Sequence, residues 1–181
     1  MQNKPTIICI SGKAEHGKTT FRNFVSDYLT VAGINHAKLS YGNYVKFVAK
    51  EFFGWDGKKD EAGRTLLQWI GTDWTKSKDR DYWIKCAMRD VDMFSDATRW
   101  RYVLIDDCRF EEEISLWENS GYRVITTRVK RLEYTSSLTD DQLKHPSETS
   151  LDSYKFDNVI NATTKEGLDR NALYFVAREL L

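Results

Sequence analysis

The sequence predicts a three-layer α/β/α fold, in which helices cover both faces of a mainly parallel sheet of about five strands. Short apolar segments typical of buried strands alternate along the chain with segments whose apolar residues recur at helical spacing. The first apolar segment, residues 6–11, leads into a glycine-containing loop, and another, residues 101–107, ends in two aspartates. Because parallel neighbours need a long crossover between them, this alternation favours a parallel sheet.

The elements can be assigned in chain order. Strands are predicted at residues 6–11, 36–41, 101–107, 122–129 and 156–161. Helices are predicted from the loop to Gly33, around residues 44–53, across most of 60–94, through Ile114 and Trp117 to Gly121, and through Leu168, Ala172, Phe175 and Val176. Within residues 60–94, one apolar stripe contains Leu66, Ile70 and Trp74, and a second contains Trp83, Cys86, Ala87 and Val91.

Composition limits the classes of function. A chain of 181 residues is long enough for a single domain with a substantial core. Lys plus Arg and Asp plus Glu both number 27, so there is no overall basic field, which argues against a polymeric nucleic acid as the main partner. Three widely spaced cysteines, Cys9, Cys86 and Cys108, favour a reducing cytoplasm over a disulfide framework. No segment approaches the roughly 18 apolar residues of a membrane span, so we expect a cytoplasmic protein without a membrane partner.

Residues 12–19 fit the pattern G-x-x-x-x-G-K-[ST] between a predicted strand and a predicted helix. Glycines allow backbone N–H groups to turn towards phosphate oxygens, at the positive end of the helix dipole. In such a loop Lys18 reaches the β- and γ-phosphates and Thr19 offers its hydroxyl to Mg²⁺. The predicted cofactor-binding residues are Gly12, Lys13, Ala14, Glu15, His16, Gly17, Lys18, Thr19 and Thr20. For the side chains of Lys13 and His16, ligand contact and solvent exposure are both open interpretations.

A phosphate-binding loop does not identify the acceptor, and it serves kinases, switch GTPases and motor ATPases alike. The chain is short and lacks a guanine-reading NKxD tetrapeptide, which favours a small-molecule kinase. The strand at residues 101–107 ends in Asp106 and Asp107, and either carboxylate could hold a metal ion, usually through water. Arg109 follows, at the edge where ligands of open α/β sheets bind. A surface ion pair with Glu112 or Glu113 is the alternative for Arg109.

Four segments together resemble the deoxynucleoside monophosphate kinases of the P-loop superfamily, which are known mainly from bacteriophages. They are SGKAEHGKTT, GRTLLQWIGTDWTKSKDRDYWI, DDCRFEEE and HPSETSLD. The resemblance covers most of the chain and implies a P-loop NTPase fold, ATP and Mg²⁺ as cofactors, and transfer of the γ-phosphoryl group to a (deoxy)nucleoside 5′-monophosphate. The family pattern in the third segment favours Asp107 over Asp106 as the metal residue.

The resemblance also implies a set of site residues. A lid at about residues 129–150 would close over ATP, with Arg128 and Arg131 at the transferring phosphoryl group. The predicted catalytic residues are Lys18, Arg109, Arg128 and Arg131, and Asn161 and Thr163 would lie beside the adenine. A charged, solvated turn is the alternative for Lys130 and Arg131. Ser147 and Glu148 follow Pro146 as at a helix start, so a structural role at the lid hinge is as plausible as ligand contact.

The acceptor would bind to a helical region at about residues 42–95. The predicted contacts are Lys46, Arg64, Gln68, Thr72, Asp73, Asp81, Trp83 and Arg109, with Arg64 on the monophosphate because a guanidinium matches phosphate bidentately. The alternative for residues 63–74 is a plain amphipathic helix with Trp69 and Trp74 in the core, and Trp83 fits a core position better than a stacking position. Gly42 and Asn43 depart from the family pattern, which leaves the preferred base and sugar open.

Two other functions remain as alternatives. One is a P-loop kinase that phosphorylates a hydroxyl group of a nucleoside or of a modified base in DNA. The other is a nucleotide-binding regulator with little catalysis. A homodimer is an open alternative to a monomer.

Overall fold

The computed structural model describes residues 4–136 and 139–181. Its centre is a five-stranded sheet in the order β2-β3-β1-β4-β5, and all strands run parallel. The strands are β1 (Thr6–Ser11), β2 (His36–Leu39), β3 (Tyr102–Cys108), β4 (Val124–Arg131) and β5 (Asn158–Ala162). The predicted α/β class with a parallel sheet of about five strands is therefore confirmed.

Nine helices lie in the described part of the chain. They are α1 (Lys18–Val31), α2 (Tyr41–Phe53), α3 (Glu61–Gln68), α4 (Thr75–Lys78), α5 (Tyr82–Thr98), α6 (Glu112–Asn119), α7 (Asp140–Lys144), α8 (Pro146–Thr149) and α9 (Lys165–Phe175). Two segments, Trp69–Trp74 and Val176–Leu180, are π-helical. Among these described helices, none has the length and the apolar character that crossing a membrane requires.

The chain divides into two compact units. The larger unit contains residues 1–38 and 94–181, and the smaller unit contains residues 39–93. In the larger unit β1 lies between β3 and β4, and its apolar residues 7–10 have no exposed surface. A strand buried on both faces has to be apolar throughout, which explains the sequence IICI. On one face α1 packs against α9, where the rings of Phe21 and Phe175 lie 5.6 Å apart.

The ladder between β1 and β3 contains an irregularity near its carboxyl end. Cys9 pairs with Ile105, whereas Ser11 pairs with Cys108. One residue of β1, Ile10, therefore lies opposite two residues of β3, Asp106 and Asp107, so β3 contains one extra residue there. A bulge of this kind redirects side chains at the end of a strand.

The smaller unit is mainly helical and has its own core around Val45, Ala49 and Ile70. The predicted apolar stripe through Leu66, Ile70 and Trp74 is wrong at Trp74, which is 44% exposed. The alternative that placed Trp69 in the core is also wrong, because Trp69 is 39% exposed. The cause is the π-helical segment, because its wider turn shifts the residues that follow Ile70 away from the face of α3. Trp83 is half-buried, packs against this core and donates its Nε1–H to the Gly71 carbonyl at 3.2 Å.

Candidate active site

The loop between β1 and α1 has a backbone that few other sequences could adopt. Gly12, Glu15 and Gly17 have φ values of 152°, 64° and 88°. A Cβ atom on Gly12 would lie 2.4 Å from the Val129 carbonyl oxygen, so β4 approaches the loop too closely for any side chain there. Gly17 precedes α1 directly, and thus the loop amides and the helix N-terminus face the same region.

Replacing Gly12 by alanine should lower the free energy of unfolding by about 3 kcal/mol, since it combines a disfavoured φ with a backbone clash. Gly33→Ala is the matched control, because Gly33 has a φ of 68° but no atom within 4 Å of an added Cβ. The control should cost only about 1 kcal/mol. Urea denaturation of both variants provides the measurement, and equal costs would show that the approach of Val129 does not constrain the loop.

Lys18 begins α1 and folds back over the loop. Its Nζ donates to the Gly12 carbonyl at 2.7 Å and to the Lys13 carbonyl at 2.8 Å. Burial, followed by the nearby Arg109 guanidinium, lowers the pKa of Lys18 to about 8, while Glu148, Asp106 and Asp107 act in the opposite direction. A partly desolvated ammonium group held at the loop by two backbone carbonyls suits an incoming anion.

Thr19 is paired with the carboxylate at the end of β3. Its Oγ1 donates to Asp106 Oδ2 at 2.6 Å, and Arg22 Nη1 lies 3.0 Å from Asp106 Oδ1. Asp106 is buried, whereas Asp107 is half-buried. The bulge at these two residues places Asp106 against Thr19, whereas the sequence pattern favoured Asp107. The metal role of Asp107 stays a prediction, and the contact favours Asp106.

Thr19 and Asp106 offer hydroxyl and carboxylate oxygens, the donor types that Mg²⁺ prefers. Within residues 4–136 and 139–181, no cluster of three or more His, Cys, Asp or Glu side chains forms a metal cage. Magnesium in nucleotide sites is typically held by one or two protein oxygens together with phosphates and water, so the residues present fit such an ion.

Arg109 is oriented by two glutamates. Its backbone N–H and that of Phe110 donate to Glu113 Oε2, which fixes the chain just beyond β3. Its Nη1 is ion-paired with Glu148 Oε1 and also donates to the Ser147 carbonyl at 3.2 Å. The sequence left open an ion pair between the Arg109 side chain and a neighbouring glutamate. In the structure the side chain is instead paired with Glu148, which lies 39 positions away.

Arg128 lies in β4 beneath the loop and is only 7% exposed. Its Nη2 donates to Asp152 Oδ1 at 2.7 Å, and its Nη1 lies 3.3 Å from Ser11 Oγ. Asp152 Oδ2 in turn lies 3.1 Å from Lys13 Nζ. Lys13, for which solvent exposure was one interpretation, is therefore connected to Arg128 through one carboxylate.

Arg131 is the last residue of β4 and contacts the loop at His16. Its backbone N–H donates to His16 Nδ1 at 3.3 Å, and its guanidinium lies 4.1 Å from the centre of the Tyr134 ring. The Tyr134 hydroxyl donates to Glu15. Burial, together with the charge of Lys18, lowers the pKa of His16, so the neutral imidazole is favoured and can accept that hydrogen bond.

A cavity of about 530 Å³ opens beside the loop and β4. Its lining includes the basic residues Lys13, Arg128, Lys130, Arg131 and Lys155 and the aromatic residues Tyr154 and Phe156. Cavities of 300–1,000 Å³ are typical of small-molecule sites. Positive charge and aromatic faces together suit an anionic ligand that carries a ring.

The predicted lid, residues 129–150, includes residues 137 and 138, which lie outside the described residues. Beyond them, Thr139 caps α7 through its side chain. The imidazole of His145 accepts from the backbone N–H of Ser147 at 3.2 Å and thereby caps α8, which begins at Pro146. A capping role accounts for His145.

Asn161 and Thr163 are exposed near the carboxyl end of β5. The Asn161 carbonyl accepts from Asn171 Nδ2 at 2.9 Å, and the neighbouring Ala162 carbonyl accepts from the Leu132 backbone N–H at 2.9 Å. The ends of β4 and β5 are thus joined where the adenine contacts are predicted, and those contacts stay predictions. Thr20, the last residue of the predicted loop set, is half-buried within α1.

The predicted acceptor residues, apart from Arg109, all belong to the smaller unit. A Cβ atom on Gly63 would lie 2.1 Å from the Lys58 carbonyl oxygen, so this close approach requires glycine. Asp60 caps α3, because its side chain accepts from the Gly63 backbone N–H at 2.9 Å. Arg64 is exposed and donates from Nε to the Lys59 carbonyl at 3.0 Å. Lys46 lies near Asn43, with 3.2 Å between Nζ and Oδ1.

Four further predicted contacts also lie in the smaller unit. Gln68 and Asp73 are exposed, whereas Thr72 and Asp81 are half-buried. The Asp81 backbone N–H donates to Asp79 Oδ1 at 3.1 Å. Their acceptor roles stay predictions.

Two acidic residues that the sequence did not assign to the site contact the loop, Glu148 and Asp152. The Ala14 backbone N–H donates to Glu148 Oε2 at 2.7 Å. For Glu148 the sequence left a structural role at the lid hinge and ligand contact open, and for Asp152 the only signal was its position in the segment HPSETSLD.

Comparisons with solved structures give the fold. The chain aligns with the APS kinase of Mycobacterium tuberculosis, in complex with AMPPNP and APS, at 11% identity over 96% of both chains with a TM-score of 0.52. It aligns with an unliganded sugar kinase from Janibacter sp. at 13% identity over 97% of this chain and 96% of the other, also with a TM-score of 0.52. No curated protein sequence matches the chain.

The family follows from the sequence model for deoxynucleotide monophosphate kinases, which matches residues 29–169. This range includes the whole smaller unit, the aspartates of β3, Arg109 and the segment 145–152, and it begins after the phosphate-binding loop. The loop, seen in the structure before α1, adds the donor-side element that such an enzyme requires. The chain therefore belongs to the deoxynucleotide monophosphate kinase family, and it is a phosphotransferase with nucleotide monophosphate kinase activity.

Proposed function

We propose that the protein transfers the γ-phosphoryl group of ATP to a (deoxy)nucleoside 5′-monophosphate and yields ADP and the diphosphate. An oxygen of the acceptor phosphate attacks the γ-phosphorus while the bond from that phosphorus to the β–γ bridging oxygen breaks. The observation that carries the proposal is the convergence of Lys18, the Thr19–Asp106 pair and Arg109 around one glycine loop. Phosphoryl transfer needs little beyond such positioning and charge stabilisation.

The donor would bind through the loop amides and Lys18. The Lys18 ammonium now donates to two loop carbonyls, and it would exchange these for β- and γ-phosphate oxygens. The basic and aromatic cavity beside the loop, together with Asn161 and Thr163, is the proposed region for the rest of the nucleotide. A bound ATP analogue in a structurally similar kinase supports ATP as the donor.

Magnesium would be held by Thr19 and Asp106, either directly or through water. The ion would neutralise charge on the β- and γ-phosphates. Arg22, whose Nη1 lies 3.0 Å from Asp106 Oδ1, orients that carboxylate through an ion pair.

The acceptor phosphate would bind to Arg109, because this guanidinium projects beyond β3 with Nη1 already anchored. Arg131 and Arg128 are the proposed groups that offset charge in the transition state. Arg131 is exposed, whereas Arg128 is buried and already bound to Asp152 and Ser11, so Arg131 has more freedom to move onto the phosphoryl group. In the smaller unit Lys46, Arg64, Gln68, Thr72, Asp73, Asp81 and Trp83 remain the proposed contacts to the monophosphate and its base.

The pKa of Lys18 makes a prediction for nucleotide binding. The ammonium form binds phosphates, and it predominates below a pKa of about 8 and disappears above it. Phosphate groups are fully ionised across this range, since their second pKa is about 6. ATP affinity without metal, measured by calorimetry in EDTA, should therefore fall towards higher pH, by about 20-fold between pH 7.5 and 9.5. An affinity that is constant across this range would contradict the predicted contact between Lys18 and phosphate.

The function itself is tested with the purified protein, Mg-ATP and a panel of acceptors. The panel contains the deoxy- and ribonucleoside monophosphates, the corresponding nucleosides, and duplex DNA with and without hydroxymethylated bases. ADP release is followed in each case, and the phosphorylated product is identified by mass.

Formation of a nucleoside diphosphate from at least one monophosphate is the expected result. Phosphorylation of DNA or of a nucleoside alone would instead support a hydroxyl kinase. Tight ATP binding without any product would support a regulator.

A further inference from the structure

The segment of residues 145–152 carries two acidic side chains that contact the loop in the same way. Glu148 Oε2 accepts from the Ala14 backbone N–H at 2.7 Å, while Oε1 is paired with Arg109. Asp152 Oδ2 lies 3.1 Å from Lys13 Nζ, while Oδ1 accepts from Arg128 Nη2 at 2.7 Å. Each carboxylate therefore divides its two oxygens between one group of the phosphate-binding loop and one arginine at the carboxyl end of a neighbouring strand.

The two carboxylates differ in burial. The Glu148 side chain is 6% exposed, whereas that of Asp152 is 41% exposed. The partner arginines differ in the opposite sense, because the Arg109 side chain is 32% exposed and that of Arg128 is 8% exposed. A buried carboxylate is costly to leave without its partners, whereas water can replace a lost partner of an exposed carboxylate. Glu148 is therefore the residue whose loss should matter.

Position also distinguishes Glu148. Arg109 uses Nη1 for Glu148 and for the Ser147 carbonyl, so its Nε and Nη2 donors point to the remaining side of the guanidinium. An arginine carries five N–H donors in a rigid plane, and anchoring one end of that plane determines where the other end is directed. The same carboxylate holds Ala14, so the loop and the guanidinium keep a constant separation.

We propose that Glu148 is a positioning residue, whose carboxylate holds Arg109 in the orientation for the acceptor phosphate and in register with the phosphate-binding loop. This inference rests on the proposed phosphoryl transfer between nucleotides. Glu148 does not contact the reacting atoms in this role. It acts through Arg109 and Ala14, and Asp152 has a weaker, parallel role through Arg128 and Lys13.

Glutamine is the appropriate replacement because it keeps the shape of the side chain but has only one acceptor oxygen. Glu148→Gln can satisfy Ala14 or Arg109, but not both. Its kcat/KM for the monophosphate should fall about 30-fold, with a higher KM for the acceptor and a lower kcat. Its ATP dissociation constant should change less than about threefold, since Lys18 and the other loop amides are intact. Glu118→Gln, an exposed acid on α6, is the matched control and should behave as wild type.

The decisive measurement is a double-mutant cycle with Arg109→Ala. If Glu148 acts through Arg109, Glu148→Gln should reduce kcat/KM less than about threefold when Arg109 is already absent. Thermal unfolding of every variant separates lost activity from lost fold, and Glu148→Asp, which keeps the charge on a shorter side chain, should have an activity between those of wild type and Glu148→Gln.

Independent, multiplicative losses in the cycle would overturn the inference, as would a Glu148→Gln protein with a lower melting temperature but wild-type kcat/KM. Wild-type protein that phosphorylates no monophosphate would overturn the proposed function, and with it the role of Glu148. If the wild-type protein is active and the two substitutions reduce kcat/KM independently, only the inference about Glu148 would be overturned.

Discussion

Replacement of Lys18 by alanine should lower kcat/KM for ATP by about 10³-fold and leave the protein folded. The ammonium group is the proposed contact to the β- and γ-phosphates, and its charge is more valuable in the transition state, where negative charge spreads over the transferring group. Folding should tolerate the change, since burial lowers the pKa of Lys18 and the native state therefore disfavours its charged form. Steady-state ADP release provides the rate, and circular dichroism during heating provides the stability.

Lys50→Ala is the control for this variant, because Lys50 is an exposed lysine in α2 that has no proposed role. It should retain wild-type kinetics. A Lys18→Ala protein with more than a tenth of wild-type activity would contradict the proposed donor site. A Lys18→Ala protein that does not fold would show that the hydrogen bonds from Lys18 to the Gly12 and Lys13 carbonyls are needed for the stability of the loop.

Replacement of Asp106 by asparagine should lower kcat about 100-fold and raise the magnesium concentration for half-maximal activity about tenfold. Asparagine keeps an oxygen for the Thr19 hydroxyl, so the shape of the contact survives while the charge is lost. The lost charge also leaves the largely buried pair with Arg22 incomplete, which should lower the free energy of unfolding by about 2 kcal/mol. Magnesium titrations of activity and urea denaturation measure the two effects separately.

Asp107→Asn is the matched comparison, because it removes the same charge one residue further along β3. It should reduce kcat less than about fivefold, as Asp107 is not the carboxylate that receives the Thr19 hydroxyl. If Asp107→Asn causes the larger loss, the metal residue is the one that the sequence pattern favoured, and Asp106 serves mainly to hold Arg22.

The sheet was predictable because its signals are local. The segment Thr6–Ser11 is apolar throughout, which a strand buried between two others requires, and the structure has β1 within those residues. The end of β2 was less accurate, since Tyr41 was placed in the strand and lies in α2. Aromatic residues suit strands and buried helix positions equally, so such boundaries depend on what packs against them.

The helical region 60–94 was predictable in type but not in the direction of its side chains. A stripe at regular helical spacing assumes 3.6 residues per turn, and the π-helical segment Trp69–Trp74 breaks that spacing. The segment exposes Trp69 and Trp74 and keeps Ile70 in the core. No local signal marks the widened turn, because it forms where neighbouring packing favours it.

The loop illustrates what neighbouring residues encode. Gly12 and Gly17 have the positive φ values that their type allows, and Lys18 and Thr19 begin α1 as the pattern indicates. The chemistry of an anion site at a strand–loop–helix junction is contained in eight consecutive residues, so no distant contact is needed to recognise it.

The glycine loop, the buried strands and the helices other than α7 could be deduced from residues that are neighbours along the chain, because backbone preference and side-chain periodicity act over a few positions. The pairing of Thr19 with Asp106 depended on the bulge in β3. The anchoring of Arg109 depended on Glu148, which also accepts from the Ala14 backbone N–H, 134 residues earlier in the chain. Contacts of this kind exist only once strands are in register and distant segments have been brought together by burial, and no local pattern records them.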